Sequence, residues 1–291
     1  MQQLLQDFIG RYKERVDRGI AEELEKRMKE VGEISPHLMP VLTAMKELSV
    51  GGKRLRAMLV IFGYELSGGE VNDEVIRAGV VMEIFHLGLL IQDDFMDRDM
   101  MRRGVKTIIA RYENEHVGNF ISMLAGDYTF GWGMEVITNL KFSNSQIVNA
   151  MKIWGKYFTR VGYGQTLDGL DIADDETILK ILRIKSGEYS CVLPLLLGAT
   201  LGGANKELLV RLEKYGMELG WVFQLRDDYL GYDKDMAKAG KKTYATMYGK
   251  EKAEEAIKEH MMIGKDILRG VSSKYDGILG ELLEWVGTRD N

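Results

Sequence analysis

The segment GLLIQDDFMDRDMMRRG, Gly88 to Gly104, carries an apolar run into three closely spaced aspartates and on to two adjacent arginines. Helical residues advance by ~100° each, so Asp97 falls about 40° and Asp94 about 100° from Asp93, with His86 about 20° away on the same face. Three carboxylates on one arc repel one another unless water or a cation compensates them. Mg2+ suits such a set, because it takes hard oxygen ligands and shares them with substrate phosphates. A solvated acidic helix end fits the same residues, and this segment alone leaves both readings open.

A second acidic pair, Asp227 and Asp228, lies in FQLRDDYLGYDKD. On a helix Gln224 falls about 60° and Phe223 about −40° from Asp227, flanking it. Gly231 stands where a third carboxylate would complete a copy of the first motif, and Asp233 and Asp235 follow. Two such pairs at the ends of two apolar helices point to carboxylates facing across a cavity.

Bound phosphates also need cations, and compact basic sets are present. GGKRLR offers Lys53, Arg54 and Arg56 after a Gly-Gly turn, where a helix N-terminus would add backbone N–H groups. Arg102 and Arg103 follow the first aspartates. RIKSGEYS places Lys185 and Tyr189 on one face with Ser186 nearby, GYGQTLDGLD pairs Gln165 with Asp168, and KAGKKTY supplies Lys241. Each set taken singly also reads as a solvated turn or a surface pair.

The elements that must position these groups are helices. Apolar residues recur at helical spacing from about residue 2 to 30, then to Leu48, across 55–67, and from Asn72 or Asp73 to near Asp99. Further runs cover 117–140, 144–171, 175–187, 188–202, 205–233 and 249 onward. No strand alternation appears. Only three prolines interrupt the 291 residues, which suits long helices, and several of the 33 glycines lie inside helical runs, where they point to close packing or ligand approach. The expectation is one all-α domain over residues 1–291.

A net charge of −5 excludes the strongly basic type of nucleic-acid binder, so no nucleic-acid partner is expected. The single cysteine, Cys191, excludes an intramolecular disulfide and a cysteine metal cluster. CVLPLLLGATLGGA, the longest apolar run, falls short of the ~20 residues that a membrane span needs. With no signal-peptide core at the N-terminus, a cytoplasmic protein without a transmembrane segment is expected.

The order GGKRLR, His86, DDFMD, RRG, GQTLD, KS..Y, FQ..DD and GK resembles the trans-isoprenyl diphosphate synthases, the farnesyl and geranylgeranyl diphosphate synthase type, from about Gly51 to Gly249. The resemblance implies the isoprenoid synthase fold, a bundle of long helices around a central apolar cavity, and a homodimer. It also implies head-to-tail condensation of an allylic diphosphate with isopentenyl diphosphate, dependent on three Mg2+ ions. Asp93, Asp94, Asp97, Asp227 and Asp228 would hold the metal, with Asp168 supporting them. Arg102, Lys185 and Lys241 would contact the allylic diphosphate, and Lys53, Arg56, His86 and Arg103 the isopentenyl one. Gln165 and Gln224 join the substrate-binding set, while Ser186 and Tyr189 steady the cation beside Lys185. Leu89 and Gly88 would leave the product tunnel open, with Phe85 as its floor one turn deeper, giving a product longer than C15 and most simply geranylgeranyl diphosphate.

The chain departs from the family pattern at Ala57, Ser186 and Gly231, and in a shortened loop after Lys241. Gly231 and the short loop would also suit a regulatory subunit of weak activity. A class I terpene cyclase shares the helices and the metal motif, but has no use for the second diphosphate set.

Overall fold

The computed structural model describes residues 3–170, 174–237, 242–269 and 276–290. Lys241 lies outside them. In chain order the helices are α1 (Gln3–Ile34), α2 (Met39–Leu48), α3 (Leu55–Leu66) and α4 (Asp73–Asp97). A two-stranded ladder, β1 (Met101–Arg102) and β2 (Val105–Lys106), comes next, before α5 (Glu115–Thr138), α6 (Asn144–Gly169) and α7 (Asp175–Leu182). A π-helical segment, Arg183–Val192, runs into α8 (Leu193–Leu201). The remainder is α9 (Lys206–Ala237), α10 (Tyr244–Tyr248), α11 (Lys250–Leu268) and α12 (Asp276–Thr288). The all-α expectation holds.

Three local features differ from the sequence expectation. Residues 101–106 form a hairpin, with Met101 opposite Lys106 and Arg102 opposite Val105. Its two turn residues, Arg103 and Gly104, both take positive φ (51° and 80°), which suits the twist of a two-residue hairpin. Too short to show alternation, this hairpin is invisible to periodicity. Second, the helix expected to break between 187 and 188 continues as a π turn, and Pro194 falls at the start of α8 where the register returns to α. Third, a one-turn α10, capped by Thr243, precedes the helix that begins at Lys250.

The chain packs as two compact units. One comprises Tyr12–Met58 and Asn72–Ser143. Asn72 starts its α4 by accepting hydrogen bonds from the amides of Glu74 and Val75. A core of Val41, Leu42, Met45, Leu48, Leu87, Ile91, Ile108 and Ala125 lies beneath the acidic end of α4. That end stops at Arg98, which takes the left-handed conformation.

The other unit comprises Met1–Arg11, Leu59–Val71 and Asn144–Asn291. Every residue of α8 is buried, as its apolar sequence requires. The π segment lies directly on α9: a Cβ at Gly220 would stand 2.2 Å from the Gly187 Cα. Only glycines permit that approach, and it fixes Ser186 against the face of α9 that carries Gln224 and Asp228.

Candidate active site

In the first unit the carboxylates of α4 are graded by exposure. Asp94 is buried, Asp93 is partly exposed and Asp97 faces solvent. Arg102, delivered by the hairpin, reaches back to Asp94 with Nε 2.7 Å and Nη2 2.6 Å from Oδ1, and its Nη2 lies 3.6 Å from Asp93 Oδ2. The second oxygen, Asp94 Oδ2, is buried and has no hydrogen-bond partner. Burial pushes the Asp94 carboxyl above its usual range, and the Arg102 guanidinium opposes this. In this structure Arg102 is therefore engaged by a carboxylate.

The same unit gathers the groups expected to serve the second diphosphate. Gly51 and Gly52 turn with φ of 82° and 95°. Arg103 Nη1 comes within 3.4 Å of the place a Gly52 Cβ would take. Burial, and then Arg56, Arg103, Arg102 and Arg54, hold the His86 imidazole well below its ordinary pKa. The ring is neutral at pH 7, able to accept one hydrogen bond and donate another. Lys53 is exposed at the turn. Arg54 has a different task, bonding Asp17 Oδ1 at 2.6 Å and the Ser49 carbonyl at 2.8 Å, which ties the turn to α1 and α2. One amide at the start of α3, that of Ala57, is already taken by Glu83 Oε1 at 3.0 Å.

Of the residues assigned to chain length, Phe85 is buried and Leu89 partly exposed. At Gly88 a Cβ would stand 1.9 Å from Thr129 Oγ1 of α5, so the missing side chain also lets the two helices pack closely. Spacing along α4 cannot show this, because the neighbour comes from another helix.

In the second unit a chain of hydrogen bonds orders the other motif. Ser186 Oγ donates to Gln224 Oε1, Gln224 Nε2 donates to Asp228 Oδ1 at 2.7 Å, and the Tyr244 amide donates to Asp228 Oδ2 at 2.9 Å. Burial pushes Asp228 up to about 6, against the lowering effect of those two donors. Lys185 Nζ lies 2.5 Å from Asp168 Oδ2, joining two residues expected to act at the allylic diphosphate and its metal shell. Gln165 is partly exposed and Tyr189 is buried. At Gly231 a Cβ would sit 3.1 Å from Asp235 Oδ2. The buried carboxylate of Asp235 has turned back toward the position where the motif lacks one.

Among the described residues no three His, Cys, Asp or Glu side chains converge into a closed metal cage. The donor set still fits Mg2+, which is held by one or two carboxylates together with substrate phosphates and water. Asp94 Oδ2 is a hard, buried oxygen with unused acceptor capacity, as such a ligand requires.

The family model described as polyprenyl synthetase matches residues 40–249. The chain belongs to the polyprenyl synthetase family. It is 31% identical over 204 residues to a geranylgeranyl diphosphate synthase of Saccharolobus solfataricus, covering 68% of this chain and 59% of that protein. It is 30% identical over 276 residues to a chloroplastic geranylgeranyl pyrophosphate synthase of Capsicum annuum, covering 88% of this chain and 73% of the relative. The fold matches the crystal structure of a geranylgeranyl pyrophosphate synthase from Corynebacterium glutamicum with a TM-score of 0.85 and 22% identity, over 98% of this chain and 99% of that one.

One feature of this polyprenyl synthetase family member has no sequence signal. Arg289, just beyond α12, pairs with Asp227 Oδ1. A lone arginine 62 residues from its partner, in no repeating pattern, cannot be found by spacing.

Proposed function

We propose that the chain is a trans-prenyl diphosphate synthase, joining an allylic diphosphate to isopentenyl diphosphate. The observation that carries this reading is the placing of Arg56 and Arg103 beside the neutral His86, while Arg102 is already engaged by Asp94 of the acidic motif. A cationic pair additional to that motif's own arginine suits a second anionic substrate. A terpene cyclase has no such need.

Asp93, Asp94, Asp97, Asp227 and Asp228, with Asp168 supporting them, are the residues that would hold Mg2+. When bound with substrate, Mg2+ supplies Lewis-acid stabilisation of the departing diphosphate. Arg102, Lys185 and Lys241 add fixed positive charge for the same leaving group as the allylic C–O bond breaks. Lys53, Arg56, His86 and Arg103 bind isopentenyl diphosphate, so that its double bond meets the allylic carbon in a fixed orientation. A new C–C bond forms, and the proton lost beside it passes to the released diphosphate. Gln165 and Gln224 orient substrate, and Ser186 and Tyr189 with Lys185 face the cation while apolar walls keep water away.

Several finer points belong to the same proposal. The product is geranylgeranyl diphosphate, with Phe85 as the floor that limits its length and Gly88 and Leu89 leaving the tunnel above it open, in line with the relatives' names. Residues 1–291 act as one catalytic domain. The protein works as a homodimer, for which α5 offers an exposed apolar face of Val117, Phe120, Met123 and Met134. No described helix is long and apolar enough to cross a membrane, and a cytoplasmic location agrees with the lone buried thiol.

The test is direct: purified protein is incubated with Mg2+, isopentenyl diphosphate and dimethylallyl, geranyl or farnesyl diphosphate, and the products are chromatographed. Elongation to a C20 product is expected. Absence of elongation by the protein alone would leave the regulatory-subunit reading in its place.

A further inference from the structure

We propose that Arg289 is a positioning residue for Asp227, holding that carboxylate until a divalent cation takes it over. The inference rests on the reading above that Asp227 carries metal.

Arg289 is an unusual partner for this aspartate. Its side chain is only 10% exposed, whereas that of Asp227 is 44% exposed. The guanidinium lies 4.3 Å over the Phe223 ring, and Nη2 donates both to Asp227 Oδ1 and, at 3.3 Å, to the Phe223 carbonyl. Its Nε is buried with no partner. Arg226 Nε in turn donates to the Arg289 carbonyl at 2.7 Å, anchoring the backbone that presents the side chain.

This arrangement is costly as a purely structural device. Burying a guanidinium with an unsatisfied N–H is unfavourable, and a half-exposed carboxylate could be solvated without it. What the contact achieves is placement. Asp228 is fixed by Gln224 and by the Tyr244 amide, and Arg289 fixes its neighbour Asp227, so both carboxylates of the motif stand in set orientations. The oxygen that Arg289 covers is one that a hard cation would seek. Guanidinium and cation therefore compete for Asp227, and metal binding frees Arg289 together with the segment that carries it.

Mn2+ serves as the probe, with the free ion measured by electron paramagnetic resonance on the full chain in the absence of diphosphate. Arg289→Gln should tighten Mn2+ binding by about two- to fivefold, the range of a partly exposed ion pair. Arg289→Lys, which keeps the charge, should stay near the parent protein. Arg226→Gln, which loosens the Arg289 backbone, should move affinity the same way by a smaller factor and provides the reading if Arg289→Gln does not fold. In an Asp227→Asn background the effect of Arg289→Gln should vanish, because the coupling passes through that carboxylate. Unchanged affinity in Arg289→Gln, or an equal gain with and without Asp227, overturns the inference while the metal assignment stands. Undiminished Mn2+ binding in Asp227→Asn alone instead removes the metal assignment, and the inference with it.

Discussion

Arg102 closes on Asp94 so that two guanidinium nitrogens share one carboxylate oxygen, while the other oxygen is buried without a partner. Removing Arg102 strands a buried charge. Arg102→Ala should therefore destabilise the protein by about 2–4 kcal/mol at pH 8, and by clearly less at pH 5. The sign follows from the titration. Burial already raises the Asp94 pKa, and losing the arginine raises it further, so at lower pH the carboxyl escapes the penalty by binding a proton. Urea unfolding at both pH values reads the difference, and equal losses would show that Arg102 acts through packing alone.

Asp228 also has a raised pKa and gives a pH dependence of the same sign. Its pKa is about 6 in the fold against an ordinary 3.8, so the folded state binds the extra proton between those values. Stability from this group is greatest below pH 4 and declines as pH rises to about 6. Asp228→Asn should recover part of that loss, roughly 2 kcal/mol at pH 7 and none at pH 3.5. The replacement is well tolerated if the Gln224 amide flips: its oxygen then accepts from the new amide, its nitrogen donates to Ser186 Oγ, and the Tyr244 N–H keeps an acceptor. Prenyl transfer should fall steeply in the same variant, so thermal stability at pH 7 and activity should move in opposite directions.

Much of this was legible in the sequence for identifiable reasons. Helical periodicity survives in the chain because the elements are long, and Asn72 announces the start of α4 by the chemistry of its cap. The carboxylates were visible because side chains on one helix face keep fixed angular relations, whereas the basic groups around His86 were joined to it only by the family resemblance. Contacts between elements were not visible. Thr129 filling the space beside Gly88, Glu83 taking an α3 amide and Arg289 reaching Asp227 all depend on where another segment arrives. The π register of Arg183–Val192 was equally hidden, since its apolar pattern is compatible with α.

Gly231 looked like a lost metal ligand, and the structure places Asp235 Oδ2 3.1 Å from where its Cβ would be. Gly231→Asp should consequently fail as a repair. The new carboxylate would meet the buried Asp235, costing about 1–2 kcal/mol at pH 7 through crowding and like-charge repulsion. Activity should not rise. Adding Asp235→Asn should return most of the stability, and a fully active, fully stable Gly231→Asp protein would show that Asp235 does not occupy that space.

Gly88 and Phe85 on α4 bear on chain length in different ways. Gly88→Ala would force a methyl into Thr129, so it should cost about 1–3 kcal/mol by overpacking and be partly relieved by Thr129→Ala. Any product change in that variant would report a displaced helix, which makes position 88 a poor ruler. Phe85 has a large buried ring whose removal vacates space within the unit. Phe85→Leu, and more strongly Phe85→Ala, should shift the product distribution beyond C20, with Phe85→Ala also losing about 3–5 kcal/mol of stability. Chromatography of the dephosphorylated products decides the matter. A distribution that stays at C20 in a folded Phe85→Ala protein would transfer the ruler to Leu89, whose partly exposed side chain lies one turn closer to the aspartates.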